Sequence, residues 1–182
     1  MPRAVGGVRR PVIMFRKHEL GVPAYIGLGS NLDRPIEQLR AGLKALAALP
    51  DTLLECCSAF YLTAPIGRSD QPDFVNAACR LHTALAPAEL LQHLLAIETA
   101  RGRMRVETDG PRTLDLDLLL YDDRTCHEPG LTLPHPRLHE RAFVLYPLHE
   151  LAPTLVIPGR GALVQLLSAC AAQKIEKLML TP

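Results

Sequence analysis

The 182-residue sequence predicts an α+β fold, a sandwich around a mixed, largely antiparallel sheet with a βαββαβ core and additional carboxy-terminal helices. Three observations carry that expectation. Short β-compatible runs are interleaved with two stretches of helical periodicity. A Pro/Gly/Asp loop joins two of those runs as neighbours that can pair antiparallel. The run from Thr113 to Tyr121 alternates leucine with aspartate, the period of a half-buried strand.

Residues 1–22, rich in Arg, Pro and Gly, show neither period and read as a flexible amino-terminal extension ahead of a single domain over 23–182. Ala24 to Leu28 reads as a short buried strand, closed by a tight turn at Gly29-Ser30-Asn31, where small residues ease the bend. Pro35 suits a first helical turn. Ile36, Leu39, Leu43 and Leu46 then form one apolar stripe, and Pro50-Asp51 ends the helix. Leu53 to Leu62 and Phe74 to Thr83 are strand-like, separated by a loop from Thr63 to Asp73. Pro87 opens a second helix through Arg101, with Leu90, Leu91, Leu94 and Ile97 inward and Gly102 as its stop. After the acidic strand, a short helix from His139 to Leu145 is expected to be interrupted at Pro147, and Leu163 to Ala172 forms a last amphipathic helix.

Composition narrows the function. Apolar residues make up 48% of the chain, enough for one sizeable core. A formal charge of +1 gives no general attraction to nucleic acid or membrane, so any electropositive function must be local. No apolar run approaches a membrane span and the amino terminus lacks a signal-peptide core, so the protein is expected in the cytoplasm. Cys56, Cys57, Cys79, Cys126 and Cys170 form no CxxC spacing and no even framework, and are expected to be reduced.

The chemistry concentrates in Gly110-Pro111-Arg112-Thr113-Leu114-Asp115-Leu116-Asp117-Leu118-Leu119-Leu120. In a strand, Leu114, Leu116, Leu118 and Leu120 line one face while Asp115 and Asp117 share the other, their Cα atoms roughly 6.5–7 Å apart. Two such carboxylates suit Mg²⁺, and Arg101, Arg103, Arg105 and Arg112 nearby can grip phosphate oxygens in pairs. The spacing fits equally an amphipathic strand whose aspartates face water. Asn76 also stands out, because asparagine is disfavoured in mid-strand.

Four stretches in order resemble the 6-hydroxymethyl-7,8-dihydropterin pyrophosphokinase family of folate biosynthesis. They are Tyr25-Ile26-Gly27-Leu28-Gly29-Ser30-Asn31-Leu32, Asp70-Gln71-Pro72-Asp73-Phe74-Val75-Asn76-Ala77, Gly110 to Asp117, and Leu133-Pro134-His135-Pro136 followed by Arg141. The resemblance spans about Ala24 to Pro153. It implies a three-layer αβα sandwich with a ferredoxin-like core. It also implies transfer of pyrophosphate from ATP to the pterin hydroxymethyl group, with attack on the β-phosphorus and release of AMP.

By the same resemblance Asp115 and Asp117 would hold two Mg²⁺ ions, with Asp115 also reaching the pterin. Arg103, Arg105 and Arg112 would bind the triphosphate and act in catalysis. Glu98, His135 and Arg141 would complete the ATP site, and Arg101 reads as a helix-face charge. Phe74 and Phe143 would sandwich the pterin ring, Asn76 would meet its hydrogen-bonding edge, and Thr63, Ala64 and Ile66 would line that edge. The implied partners are small molecules, ATP and a reduced pterin, without nucleic acid or membrane, and the chain is expected to act as a monomer.

The chain departs from the family pattern in places. Asp109 stands where well-known members carry tryptophan, and the loop from Arg105 to Arg112 is one residue shorter. Gly130 replaces an arginine, Leu95 a glutamine and Pro136 an aromatic residue, so contacts carried by those positions do not transfer. Other motifs fail. Gly27-Leu28-Gly29 lacks the third glycine and later acidic residue of a dinucleotide turn, no GxxxxGK[ST] run exists, and Pro136 breaks any helical His135/His139 zinc pair. Two alternatives stay open from the residues: a Mg²⁺-dependent nucleotide phosphohydrolase, which would release AMP without pterin, and a degenerate nucleotide-binding domain, which would bind without turnover.

Overall fold

The structure is a computed structural model, and it describes residues 21–65, 70–103 and 110–180. Most of the expected extension, together with Ile66, Arg105 and Asp109, lies outside the described residues. The elements run β1 (Val22–Ser30), α1 (Pro35–Leu46), β2 (Thr52–Cys57), β3 (Tyr61–Thr63), β4 (Phe74–Thr83), α2 (Pro87–Ala100) and β5 (Asp115–Tyr121). Then follow β6 (Cys126–Glu128), β7 (Leu131–Leu133), a 3₁₀ turn (Leu138–Glu140), α3 (Ala142–Leu151), β8 (Val156–Ile157), β9 (Gly161–Ala162), α4 (Leu163–Ala169) and β10 (Ile175–Lys177). The core order is βαβββαβ, with three strands between α1 and α2 where two were expected, and the carboxy-terminal helices are as expected.

The main sheet has the order β10-β3-β4-β1-β5, with β2 also paired to β4. Its pairings are all antiparallel, so the largely antiparallel sheet expected is antiparallel at every described pair. One core joins Ile26, Leu28, Cys79, Leu81 and Leu116 of the sheet to Leu39, Leu43 and Leu46 of α1 and Leu90 and Leu94 of α2. A second, on the opposite face, joins Tyr25, Ala78 and Leu120 to Leu145 and Leu148 of α3 and Leu163 of α4. The result is the three-layer αβα sandwich. Each layer exists because its helices carry an apolar stripe that only the sheet can cover.

Four expectations need correction. The run from Leu53 to Leu62 is two strands. At the break the Ser58 N–H donates to the Ala78 carbonyl (2.9 Å) and the Ser58 Oγ accepts the Ala78 N–H (3.0 Å), so a hydroxyl replaces one backbone acceptor in the ladder. The turn expected at Gly29 is absent, because β1 stays paired through Ser30 with β4 and through Gly29 with β5. Leu120 leaves the leucine face. The register slips between Tyr25 and Ile26, Leu119 becomes the extra residue of a bulge, and Leu119 and Leu120 both join the α3 core while Leu114, Leu116 and Leu118 remain under α1 and α2. Finally, α3 runs straight through Pro147, which is buried with Val144, Leu145 and Leu148, so burial of that face outweighs the backbone hydrogen bond that proline forfeits.

Candidate active site

β5 is the end strand of the main sheet, and the site is built around its first residues. Asn76, Gly29 and Asp115 are successive register partners across β4, β1 and β5. A Cβ on Gly29 would stand 3.2 Å from Asn76 Oδ1 and 3.9 Å from the Asp115 Cβ. Glycine there keeps open the space between amide and carboxylate, a role different from the turn its sequence context suggested.

Two cavities meet at Asp115 and Asp117. The inner one lies on the α3 face and is walled by Thr63, Ala64, Phe74, Asn76, Arg141 and Phe143, with Gln71, Arg112 and Arg137 also at its lining. The edge cavity runs beside β5 and is walled by Leu91, Leu95, Glu98, Arg103, Thr132 and His135, with Gly130 and Pro136 completing it. Asp115 and Asp117 line both.

In the inner cavity Asn76 is buried, and its Nδ2 donates to Thr63 Oγ1 at 2.8 Å, which fixes the amide's orientation. The guanidinium of Arg112 lies 5.8 Å from the Phe74 ring centroid and that of Arg141 lies 5.4 Å from Phe143, so each aromatic wall is backed by a cation. Around the shared wall, Arg112 Nη1 donates to Asp115 Oδ2 at 2.5 Å, and Arg103 Nη1 bridges Asp115 Oδ1 and Glu98 Oε1. Glu98 Oε1 also accepts the Leu116 N–H at 2.7 Å, so a side chain from α2 satisfies a backbone donor on the edge strand. His135 is anchored by its N–H to the Leu119 carbonyl (2.9 Å).

Burial and neighbouring charge set the protonation states. Burial works to raise the Asp115 pKa, but the Arg112 and Arg103 guanidiniums outweigh it and hold this carboxyl below its ordinary value. Asp117 is pushed up to about 6, by burial first and then by the Asp115 charge. Glu98 rises to about 7, chiefly through burial. His135 falls to about 4 through burial and the Arg141 charge, so its imidazole is neutral near pH 7.

A family model described as 7,8-dihydro-6-hydroxymethylpterin-pyrophosphokinase (HPPK) matches residues 25–153, the stretch that contains both cavities. The chain belongs to that family. The 2-amino-4-hydroxy-6-hydroxymethyldihydropteridine pyrophosphokinase of Haemophilus influenzae is 46% identical over 157 residues, covering 86% of this chain and 98% of the relative. That of Pseudomonas aeruginosa is 49% identical over 154 residues, covering 85% and 95%. Among solved structures, an HPPK-DHPS in complex with substrates superposes with a TM-score of 0.65 at 12% identity, covering 82% of this chain and 43% of the other. Plasmodium falciparum HPPK-DHPS with pterin and p-hydroxybenzoate gives 0.61 at 15% identity, covering 81% and 42%. The chain thus spans less than half of these longer proteins, and the likeness establishes the HPPK fold.

Of the residues singled out in the sequence, Thr63, Ala64, Phe74, Asn76 and Phe143 come together in one cavity, and Glu98, Arg103 and His135 in the other. Arg112 and Arg141, expected with the nucleotide, line the inner cavity instead. Arg101, read as a surface charge, is held by Gln38 Oε1 through Nε (3.0 Å) and Nη2 (2.7 Å). Three of the departures from the HPPK pattern, Leu95, Gly130 and Pro136, share the edge cavity. Sequence reasoning passed over Arg137 at the inner cavity. It sits in an aperiodic Pro-containing loop, where no spacing marks it.

Proposed function

We infer that this chain transfers the pyrophosphoryl group of ATP to the hydroxymethyl group of 6-hydroxymethyl-7,8-dihydropterin, releasing AMP and the pterin pyrophosphate. The observation that carries this reading is the carboxylate wall, Asp115 and Asp117, shared by a cavity walled by Phe74, Phe143 and Asn76 and a second one lined by Arg103 and His135. Such a junction suits one substrate on each side with the reacting atoms meeting at Asp115 and Asp117.

On this reading the pterin lies between Phe74 and Phe143, its donor and acceptor edge against Asn76, with Thr63 and Ala64 around it. ATP occupies the edge cavity, where Arg103 grips the triphosphate and the neutral His135 ring supplies a hydrogen bond without competing charge. Arg112 and Arg141 stand on the pterin side of the junction and meet the diphosphate as it passes across. Arg103 and Arg112 neutralise Asp115 in the free protein, and the triphosphate offers both guanidiniums a second anion. The hydroxymethyl oxygen attacks the β-phosphorus and forms one P–O bond, the β-phosphorus bond to the α–β bridging oxygen breaks with AMP leaving on that oxygen, and the hydroxyl proton is released to solvent. Positioning and charge neutralisation are the protein's main contributions to such a transfer.

The donor set also suits Mg²⁺. Among the described residues no three His, Cys, Asp or Glu side chains converge on a metal geometry, and Asp115 and Asp117 are the carboxylates at the junction. One or two carboxylates with substrate phosphates is the ligation Mg²⁺ commonly takes, so Asp115 and Asp117 would hold the two ions the family resemblance implies. Bound there, Mg²⁺ would neutralise phosphate charge during transfer.

The family match over 25–153 contains the lining residues of both cavities, which supports a single catalytic domain over 23–182, and we read the chain as a monomer. Among the described residues no helix is long and apolar enough to cross a membrane, and the five described cysteines are free, both compatible with a cytoplasmic enzyme. The deciding assay incubates the chain with Mg²⁺, ATP and the pterin and quantifies AMP, ADP and pterin pyrophosphate. Pterin-dependent AMP with matching pterin pyrophosphate is expected; nucleotide hydrolysis without pterin would overturn the assignment.

A further inference from the structure

Asn31 lies just past the last residue of β1, only 3% exposed, and it bonds two chain segments 40 or more positions away. Its Oδ1 accepts the Arg112 backbone N–H at 2.8 Å while its own N–H donates to the Arg112 carbonyl at 3.1 Å, a reciprocal clamp. Its Nδ2 donates to Gln71 Oε1 and to the Pro72 carbonyl, each at 3.1 Å. Both amide hydrogens and the amide oxygen are thereby engaged.

What these bonds hold is one wall of the inner cavity. Arg112, fixed through its backbone, extends its guanidinium to Asp115 and lies over Phe74. Gln71 and Pro72 lead directly into Phe74, and Gln71, Phe74 and Arg112 all line the cavity. We infer that Asn31 is a positioning residue for both substrates, acting on the triphosphate through Arg112 and on the pterin through Gln71, Pro72 and Phe74. The inference rests on the substrate assignment above. A displacement of about 1 Å in a positioning group is enough to cost large factors in binding or rate, which is why a buried amide behind the wall can matter as much as a residue in it.

Two substitutions separate the two arms. Asn31→Ala removes all three side-chain bonds. Asn31→Asp keeps the acceptor for the Arg112 N–H and loses both donors to the Gln71–Pro72 segment. The full chain with Mg²⁺ is titrated calorimetrically with 6-hydroxymethyl-7,8-dihydropterin and, separately, with a nonhydrolysable ATP analogue. Asn31→Ala is expected to weaken both ligands about tenfold, the loss of roughly one buried hydrogen bond. Asn31→Asp is expected to weaken the pterin about tenfold and leave the ATP analogue within about twofold.

Unchanged affinities in both variants, or loss of the ATP analogue alone, would overturn the inference. If Asn31→Ala does not fold, Asn31→Asp decides by its selectivity for the pterin. Thr52→Val serves as a stability control, since it removes the Thr52–Thr83 hydroxyl bond (2.7 Å) in the β2–β4 pairing outside both cavities. It should lower the melting temperature and leave both affinities as they are; a matching loss of affinity would reduce Asn31 to a general stability effect and overturn its role. A wild-type chain that binds the ATP analogue and no pterin would overturn the pterin assignment, and this inference with it.

Discussion

In the inner cavity, Asn76, Gly29 and Thr63 stand on three adjacent strands, and the amide is held by the Thr63 hydroxyl. In the edge cavity, Arg103, Glu98 and Asp115 hold one another as a charged cluster. The first arrangement is preorganised by the sheet, the second by mutual neutralisation. A cavity on a backbone lattice needs little reorganisation and gains specificity from a few fixed hydrogen bonds. A self-neutralised cluster stays folded without ligand, and its attraction for an anion depends on which carboxylates keep their charge.

The largest expected effect comes from destroying the wall the two sides share. Asp115→Ala and Asp117→Ala should each lower kcat by about 10²–10³-fold or more, the scale for removing an electrostatic group at a reacting centre. Steady-state rates of AMP formation check this, and a near-wild-type rate in either variant would take the carboxylates out of the reaction. Next is a change confined to one side. Asn76→Ala should weaken the pterin by about 10–100-fold, the cost of a lost buried hydrogen bond, while an ATP analogue binds as before. Equal losses for both ligands in titration would erase the distinction between the two cavities.

The same contrast explains what could be read from the sequence. Asp115 and Asp117 are legible because period-two alternation fixes which face of a strand each residue takes, Asn76 because asparagine is disfavoured in mid-strand, and Phe74 only through the family resemblance. Leu120 defeats that rule, since the bulge at Leu119 depends on a register slip with β1 that no local pattern records. The break at Ser58 is hidden for a related reason: its hydroxyl substitutes into the ladder through a residue, Ala78, twenty positions away. β10 pairs with β3 through three residues, Ile175–Lys177, of which Glu176 and Lys177 are exposed, so it offers no apolar signal. Pro147 misleads in the other direction, because local propensity marks a stop that the core overrides. For the site, residue types located the chemistry. The division into two cavities, and the presence of Arg112 and Arg141 in the inner one, required the third dimension.

A smaller effect sharpens the account of the charged side. Glu98 accepts the Leu116 N–H and pairs with Arg103, so it serves the strand and the arginine at once. Glu98→Leu should cost about 1–3 kcal/mol of folding stability by leaving a buried N–H without an acceptor. Glu98→Gln keeps an acceptor for that N–H and should lose under about 1 kcal/mol while still weakening the hold on Arg103. Denaturant midpoints of the two variants provide the check. Equal destabilisation by Gln and Leu would mean that the charge, and not the acceptor, supports the edge of β5.

The smallest effect is a pH dependence centred on His135 in the edge cavity. His135 faces Arg141, Arg137 and Asp115, and burial with the Arg141 charge lowers its pKa from 6.5 to about 4. A depressed pKa means that the unfolded chain binds the proton more readily than the folded one. The stability His135 contributes is therefore fully present above pH 6.5 and is lost as pH falls toward 4. At pH 5 that loss should amount to about 1–2 kcal/mol after allowing for the ring's partial exposure. His135→Asn, which cannot take up a proton, should flatten this part of the profile, so that wild type and variant converge or cross between pH 6.5 and 5 in thermal melts of the ligand-free protein. Parallel profiles over that window would show that the ring already ionises freely in the folded state, and the nucleotide side would then present a cation at His135 where a neutral imidazole is now assigned.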